Sequence, residues 1–338
     1  MPEELTKAAF LGREAAQFIR ENRSNPFVLF VSFLEPHPPY TSPLAHLYPP
    51  DEIPVGPTFM KRPVENASEF HRERADYYQG SERLVLNLDS GVEMEDFDLR
   101  TEAGWRSLAS NYYGNVTLMD RAVGMIMEAL DESGKADNTA VVFTSEHGEM
   151  LGEHGLLEKR TLYQQSVKVP LVIRAPWLGD SERRIPGHAS LIDLAPTLLD
   201  LLGERVPDHL DGESRLPVLK GESTLEDDDV FVQWNGRGDR DLGSKTVDRV
   251  MSASWRSVVS SDGWKLNTYA PPTDASSTIS QTTLMSRSTS STTPSTETAS
   301  RTWRAESARG SSPPATRRRC RRSRAPPAKV SRTPASFP

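Results

Sequence analysis

Between Trp105 and Leu130 the apolar residues fall on one helical face, and the stretch leads into a short β-branched run. Trp105, Leu108, Tyr112, Val116, Met119, Val123, Ile126 and Leu130 follow one another at steps of three and four, the spacing that lines one side of an α-helix. Ser133-Gly134 ends the pattern. Thr139-Ala-Val-Val-Phe-Thr144 then reads as a buried strand, and it runs straight into Ser145-Glu146-His147-Gly148. In open α/β sheets, ligands bind beyond the carboxyl ends of strands, so this junction is the first place to look for chemistry.

The N-terminal part repeats the arrangement. Leu5, Ala8, Gly12, Ala15 and Ile19 predict an amphipathic helix over residues 1–22. Asn25-Pro26 breaks it, and Phe27-Val-Leu-Phe-Val-Ser-Phe33 reads as a second buried strand. Val169-Pro-Leu-Val-Ile-Arg174 reads as a third. Ile192 to Leu202 is a short helix closed by Gly203. Val230–Trp234, Arg256–Ser260 and Lys265–Tyr269 read as antiparallel strands, the last two joined by the turn Ser261-Asp262-Gly263. Residues 36–100 carry nine prolines between Pro36 and Pro63 and are expected to be irregular, a substrate loop or lid. The predicted class is α/β, with a small C-terminal antiparallel sheet.

Charge divides the chain. Its 338 residues carry a net −7. Residues 1–272 account for −16 and the remainder for +9. The acidic part argues against nucleic-acid binding. In residues 273–338, 27 of 66 positions are Ser or Thr, and Arg317-Arg-Arg-Cys-Arg-Arg-Ser-Arg324 is strongly basic. Such sequence buries too little apolar surface to fold, and the abrupt switch suggests a reading-frame shift near residue 272. Cys320, the sole cysteine, excludes a disulfide framework and a cysteine metal cluster. No apolar run is long enough to span a membrane, and Met1 to Lys7 lacks a secretory-signal pattern. The chain as given reads as cytoplasmic and without a membrane partner; its oligomeric state is not legible.

Two strand ends are each followed by a histidine. Glu146-His147, beside Gly148, offers a carboxylate and an imidazole to a divalent cation. Gly152-Glu-His-Gly155 and Lys159 follow, and a lysine there can neutralise an anionic oxygen or protonate a leaving group. After the first strand, Glu35-Pro-His37-Pro-Pro39 stiffens the backbone around His37. Taken alone, each element reads as a polar loop or turn; the repetition is what periodicity does not require.

Phe27 through Pro39, Tyr112-Tyr113-Gly114 through Asp120, Thr139 through Lys159, Leu162-Tyr163 through Arg174, His188 through Leu202, and Asp211-Gly-Glu-Ser together resemble the sulfatase family. The resemblance implies an alkaline-phosphatase-like α/β domain with a smaller C-terminal sheet. It implies sulfuric ester hydrolysis at a divalent metal, usually calcium, with manganese as the second candidate. The substrate it implies is a small-molecule or carbohydrate sulfate ester. By position, Glu146 and His147 match the metal pair, Lys159 the lysine on the sulfate, and His37 a histidine near the leaving-group oxygen. His154, His188, Asp120 and Asp193 are expected to be structural.

Three departures accompany the resemblance. Position 146 is Glu where the family usually has Asp. The family's Cys- or Ser-x-Pro-x-Arg nucleophile motif, with the Asp pair near it, does not occur in this sequence. The family's continuation after Trp264-Lys-Leu is replaced by the Ser/Thr/Arg-rich tail. The expected organisation is a partial catalytic domain over 1–205, a smaller sheet region over 206–272 and a disordered tail over 273–338. The expected function is a sulfatase fragment inactive by itself, against a phosphonate or phosphate ester hydrolase of the same superfamily or a non-catalytic chain.

Overall fold

A computed structural model describes residues 2–65, 67–80, 97–179, 182–236 and 252–268, and the backbone of 269–270 and 284–287. The basic run around Cys320 and nearly all of the tail lie outside these residues.

Two helices form the scaffold. α1, Lys7–Glu21, starts at Thr6, whose hydroxyl caps Ala9 N at 3.2 Å. α3, Glu102–Glu132, starts at Thr101, capping Gly104 N at 3.1 Å. Each cap satisfies a helical N–H that has no partner inside the helix. The helices pack through small residues: Ala8, Ala16, Ala122 and Ala129 are buried with Leu118, Ile19 and Leu130. At Gly12 an added Cβ would lie 2.9 Å from Ala122 Cβ, so the axes approach as closely as backbone allows. The α3 stripe is confirmed at its ends, where Trp105, Leu108 and Leu130 are buried. Midway, Val116, Met119 and Val123 are only half-buried, and Leu118 and Ala122 take the buried line. Leu5 lies before the helix proper and is exposed.

β1, Val141–Thr144, pairs antiparallel with β2, Leu171–Arg174, from Val141 opposite Arg174 to Thr144 opposite Leu171. Phe27 and Leu29 pack with Val141 against α1 and α3. The segment 27–33 differs from its expectation as a buried strand. It is extended, but no ladder partner joins it among the described residues. Every second side chain is open, with Val28 90% and Phe30 89% exposed. A continuous apolar run is buried on both faces only when both are covered, and here the helices cover one.

The second correction concerns residues 36–100. They include α2, Glu69–Gly80, whose buried face is Phe70, His71, Arg74, Ala75 and Tyr78. Between α2 and α3 a second core gathers Tyr40, Tyr78, Leu99, Trp105, Leu108 and Leu157. Trp105 Nε1 donates to Leu99 O at 2.8 Å.

After the one-turn α4, Gln164–Val167, and β2 come α5, Leu194–Leu201, and α6, Leu216–Lys220. Asp193, buried before α5, accepts from Arg215 Nε at 2.8 Å and from Glu213 N at 2.9 Å. β3, Val230–Trp234, β4, Ser254–Val259, and β5, Trp264–Ala270, form the expected antiparallel sheet. A fourth strand, β6, Leu284–Arg287, pairs with β5. It falls inside the segment expected not to fold, at Leu284-Met285, a short apolar exception to the polar composition.

Candidate active site

β1 ends at Thr144 and hands the chain to a tightly folded loop. Gly148 N donates to Ser166 O at 2.7 Å, and a Cβ there would meet Gln165 O at 2.0 Å, so only glycine fits. Met150 N reaches Glu158 O at 3.0 Å and Gly152 N reaches Leu156 O at 2.9 Å, folding 150–158 back on itself. Leu151, His154, Glu158 and Arg160 all have φ between 44° and 68°, the left-handed region that non-glycine residues enter at a cost of about 1–3 kcal/mol each.

Glu146 and His147 stand at the mouth of this loop. His147 Nε2 is 2.8 Å from Glu146 Oε1, and its Nδ1 is 2.9 Å from Gly148 O. Both ring nitrogens therefore face oxygen atoms that can only accept. A doubly protonated ring satisfies both, and so does a cation set between Nε2 and the carboxylate. The Glu146 side chain is 85% exposed, so its longer arm can swing to meet an ion. The donor chemistry suits a divalent metal, but two donors are a partial set. Among the described residues no group of three or more His, Cys, Asp or Glu side chains is arranged to hold an ion.

His37 follows the extended segment, with cis peptide bonds at Glu35–Pro36 and Pro38–Pro39. Its Nδ1 is 2.9 Å from Pro38 O. That carbonyl can only accept, so Nδ1 donates to it and Nε2 is the ring nitrogen left to meet other groups. Lys159 is nearly buried at 9% exposed, and burial is the main force lowering its ammonium pKa, with Glu158 opposing. Among the described residues no hydrogen bond or ion pair links His37 or Lys159 to the Glu146–His147 pair. Two adjoining cavities, of about 170 and 390 Å³, are walled by other residues, among them Phe59, Arg106, Tyr113 and Glu149.

Sequence reasoning missed the charges behind the loop. Glu149 accepts from Tyr40 Oη at 3.0 Å and from Leu151 N at 3.3 Å; burial first, and Glu158 second, push its carboxyl up to about 7. Arg74, 2% exposed, donates to Leu157 O and Lys159 O, both at 2.6 Å, and lies 3.7 Å from Glu158. An Arg on a segment with no apolar stripe carries no such signal by itself.

Of the histidines and aspartates expected to be structural, His154 and Asp193 are held by their surroundings. His154 stacks on Tyr163 with centroids 3.9 Å apart at 17°. Asp193 is tied to Arg215, and Asp120 is exposed on α3. Of His188 the structure shows a buried Nδ1 without a hydrogen-bond partner.

The sulfatase family profile matches residues 5–204, more than half of the chain. The chain belongs to the sulfatase family. Within it, this sulfatase-family chain is 30% identical over 230 residues to the multifunctional alkaline phosphatase superfamily protein PehA of Trinickia caryophylli, covering 65% of this chain and 42% of that protein. It is 31% identical over 229 residues to the choline-sulfatase of Rhizobium meliloti, covering 65% and 41%. The chain thus spans less than half the length of these relatives. The structure of phosphonate monoester hydrolase of Agrobacterium radiobacter superposes with a TM-score of 0.60 at 27% identity, over 85% of this chain and 55% of that one. That of Silicibacter pomeroyi, at 23% identity and TM-score 0.66, supports the same alkaline-phosphatase-like fold.

Proposed function

We propose that this chain forms part of a metal-dependent sulfuric ester hydrolase. The observation that carries this reading is the Glu146–His147 pair at the end of β1, with His147 turned so that a cation satisfies Nε2. Glu146 and His147 hold the metal, calcium or else manganese, and further ligands come from beyond this pair. When bound, the ion stabilises negative charge on the ester's non-bridging oxygens. Lys159 neutralises one such oxygen, and its partial burial strengthens that interaction. His37, its Nδ1–H held by Pro38, uses Nε2 to exchange a proton with the leaving-group oxygen. A small-molecule or carbohydrate sulfate ester is the proposed substrate. Segments 1–205 and 206–272 are proposed as catalytic and sheet parts, with the Asp193–Arg215 ion pair crossing between them. Among the described residues no helix is long and apolar enough to cross a membrane.

Since the sequence contains no Cys- or Ser-x-Pro-x-Arg motif, the 338-residue chain alone is proposed not to turn over ester. The test is hydrolysis of an aryl sulfate with calcium or manganese. The chain alone is expected to be silent, and a chimera with the N-terminal half of a matched sulfatase active. Sulfate release by the chain alone would overturn the inactivity, and a folded, metal-loaded but silent chimera would overturn the reading. A phosphonate ester hydrolase is the second reading, favoured by the likeness to the Agrobacterium radiobacter enzyme. Faster cleavage of an aryl phosphonate by the same chimera would select it.

A further inference from the structure

We propose that Arg74 is a positioning residue for Lys159, acting through the backbone of the turn that carries it. This rests on the reading of Lys159 as the lysine that meets the ester's anionic oxygens.

Lys159 sits between Glu158 and Arg160, at φ 64° and 68°. A backbone bent that way at two side-chain-bearing residues persists only where its surroundings over-determine it. The guanidinium of Arg74 does this from α2. Nη1 binds Lys159 O and Nη2 binds Leu157 O, both at 2.6 Å. The two carbonyls straddle Glu158, whose carboxylate lies 3.7 Å from Nη2. Tyr78 Oη, 3.3 Å from Nε and 3.1 Å from Nη2, fixes the fork from the other side. A planar fork with several donors can hold two carbonyls in one fixed relation; an ammonium group is a point charge and cannot. Pinning the carbonyl of Lys159 fixes its peptide plane and hence the direction of Cα–Cβ. Burying a guanidinium is costly unless every donor is used. Here four hydrogen bonds go to the two turn carbonyls and to Tyr78, which lies on α2's own buried face.

The experiment is a double-mutant cycle on the 338-residue chain, reading the affinity for inorganic sulfate by NMR titration. Lys159→Ala is expected to weaken sulfate binding about tenfold, and Arg74→Gln to weaken it about as much while Lys159 is still present. In the Lys159→Ala background, Arg74→Gln is expected to add nothing. Arg74→Lys keeps the charge but not the fork, and is expected to fall between wild type and Arg74→Gln. If Arg74→Gln does not fold, Arg74→Lys replaces it in the cycle. Full wild-type affinity in the folded Arg74 variant, or equal losses with and without Lys159, overturns the positioning role alone. No loss in Lys159→Ala itself overturns the reading of Lys159, and the proposal with it.

Discussion

Nε2 of His147 and Oε1 of Glu146 lie 2.8 Å apart, while the other ring nitrogen already faces the carbonyl of Gly148. In the proposed metal role, a cation would sit between Nε2 and the carboxylate, with Nδ1 held on the Gly148 carbonyl. Manganese should therefore broaden the NMR signals of the His147 ring first. In Glu146→Gln the broadening should require at least about tenfold more manganese, the scale on which weakened ligation is felt. Equal broadening in both proteins would remove Glu146 from the metal site.

In an active chimera, Lys159→Ala and His37→Ala should each depress kcat/KM about a hundredfold or more, the range for losing an electrostatic or proton-transfer contact in the transition state. The measurement is steady-state hydrolysis of an aryl sulfate. With His37→Ala the loss should be least for esters whose leaving group is already a weak base. Wild-type rates in either variant would discard that residue's role.

His71 is expected to contribute an acid-side loss of stability. Burial, then the nearby charge of Arg74, lower its pKa from 6.5 to about 3. The unfolded chain takes up a proton below 6.5 while the folded chain resists it down to about 3, so stability falls as pH drops through that window. His71→Gln should flatten the fall in urea midpoint between pH 7 and pH 4, by the equivalent of a few kcal/mol. Parallel profiles for the two proteins would place the acid sensitivity elsewhere.

The approach of Gly12 to Ala122 leaves no room for a side chain. Gly12→Val should destabilise by about 1–3 kcal/mol, the usual cost of overpacking. Ala122→Gly in the same chain should return part of it, because the two sites share one contact. Thermal unfolding of the single and double variants reads both effects; strictly additive losses would show that the helices separate instead.

Where apolar residues recur at helix or strand spacing, the position of the element was legible. α1, α3 and the strands at 141–144, 230–234 and 264–270 appear close to where apolar spacing put them. α2 was hidden because its buried face is half polar: His71 and Arg74 sit beside Phe70 and Tyr78, and no apolar stripe betrays it. The run at 27–33 was misread because apolar continuity signals burial on two faces, while Val28 and Phe30 are open. The residues proposed for the site, 37, 146, 147 and 159, were picked out by motif and strand ends. The turn that aims Lys159 was not, since Arg74 is 85 positions away in sequence.

Leu151, His154, Glu158 and Arg160 hold backbone shapes that glycine adopts without strain. Substituting glycine at such positions relaxes the folded chain, but it also erases the ring that stacks on Tyr163 and the carboxylate and guanidinium that flank the lysine in sequence. A library of this protein screened only for survival of heating should accumulate glycine or asparagine here, and lose the loop's shape as it does so. Durability and use pull this stretch in opposite directions.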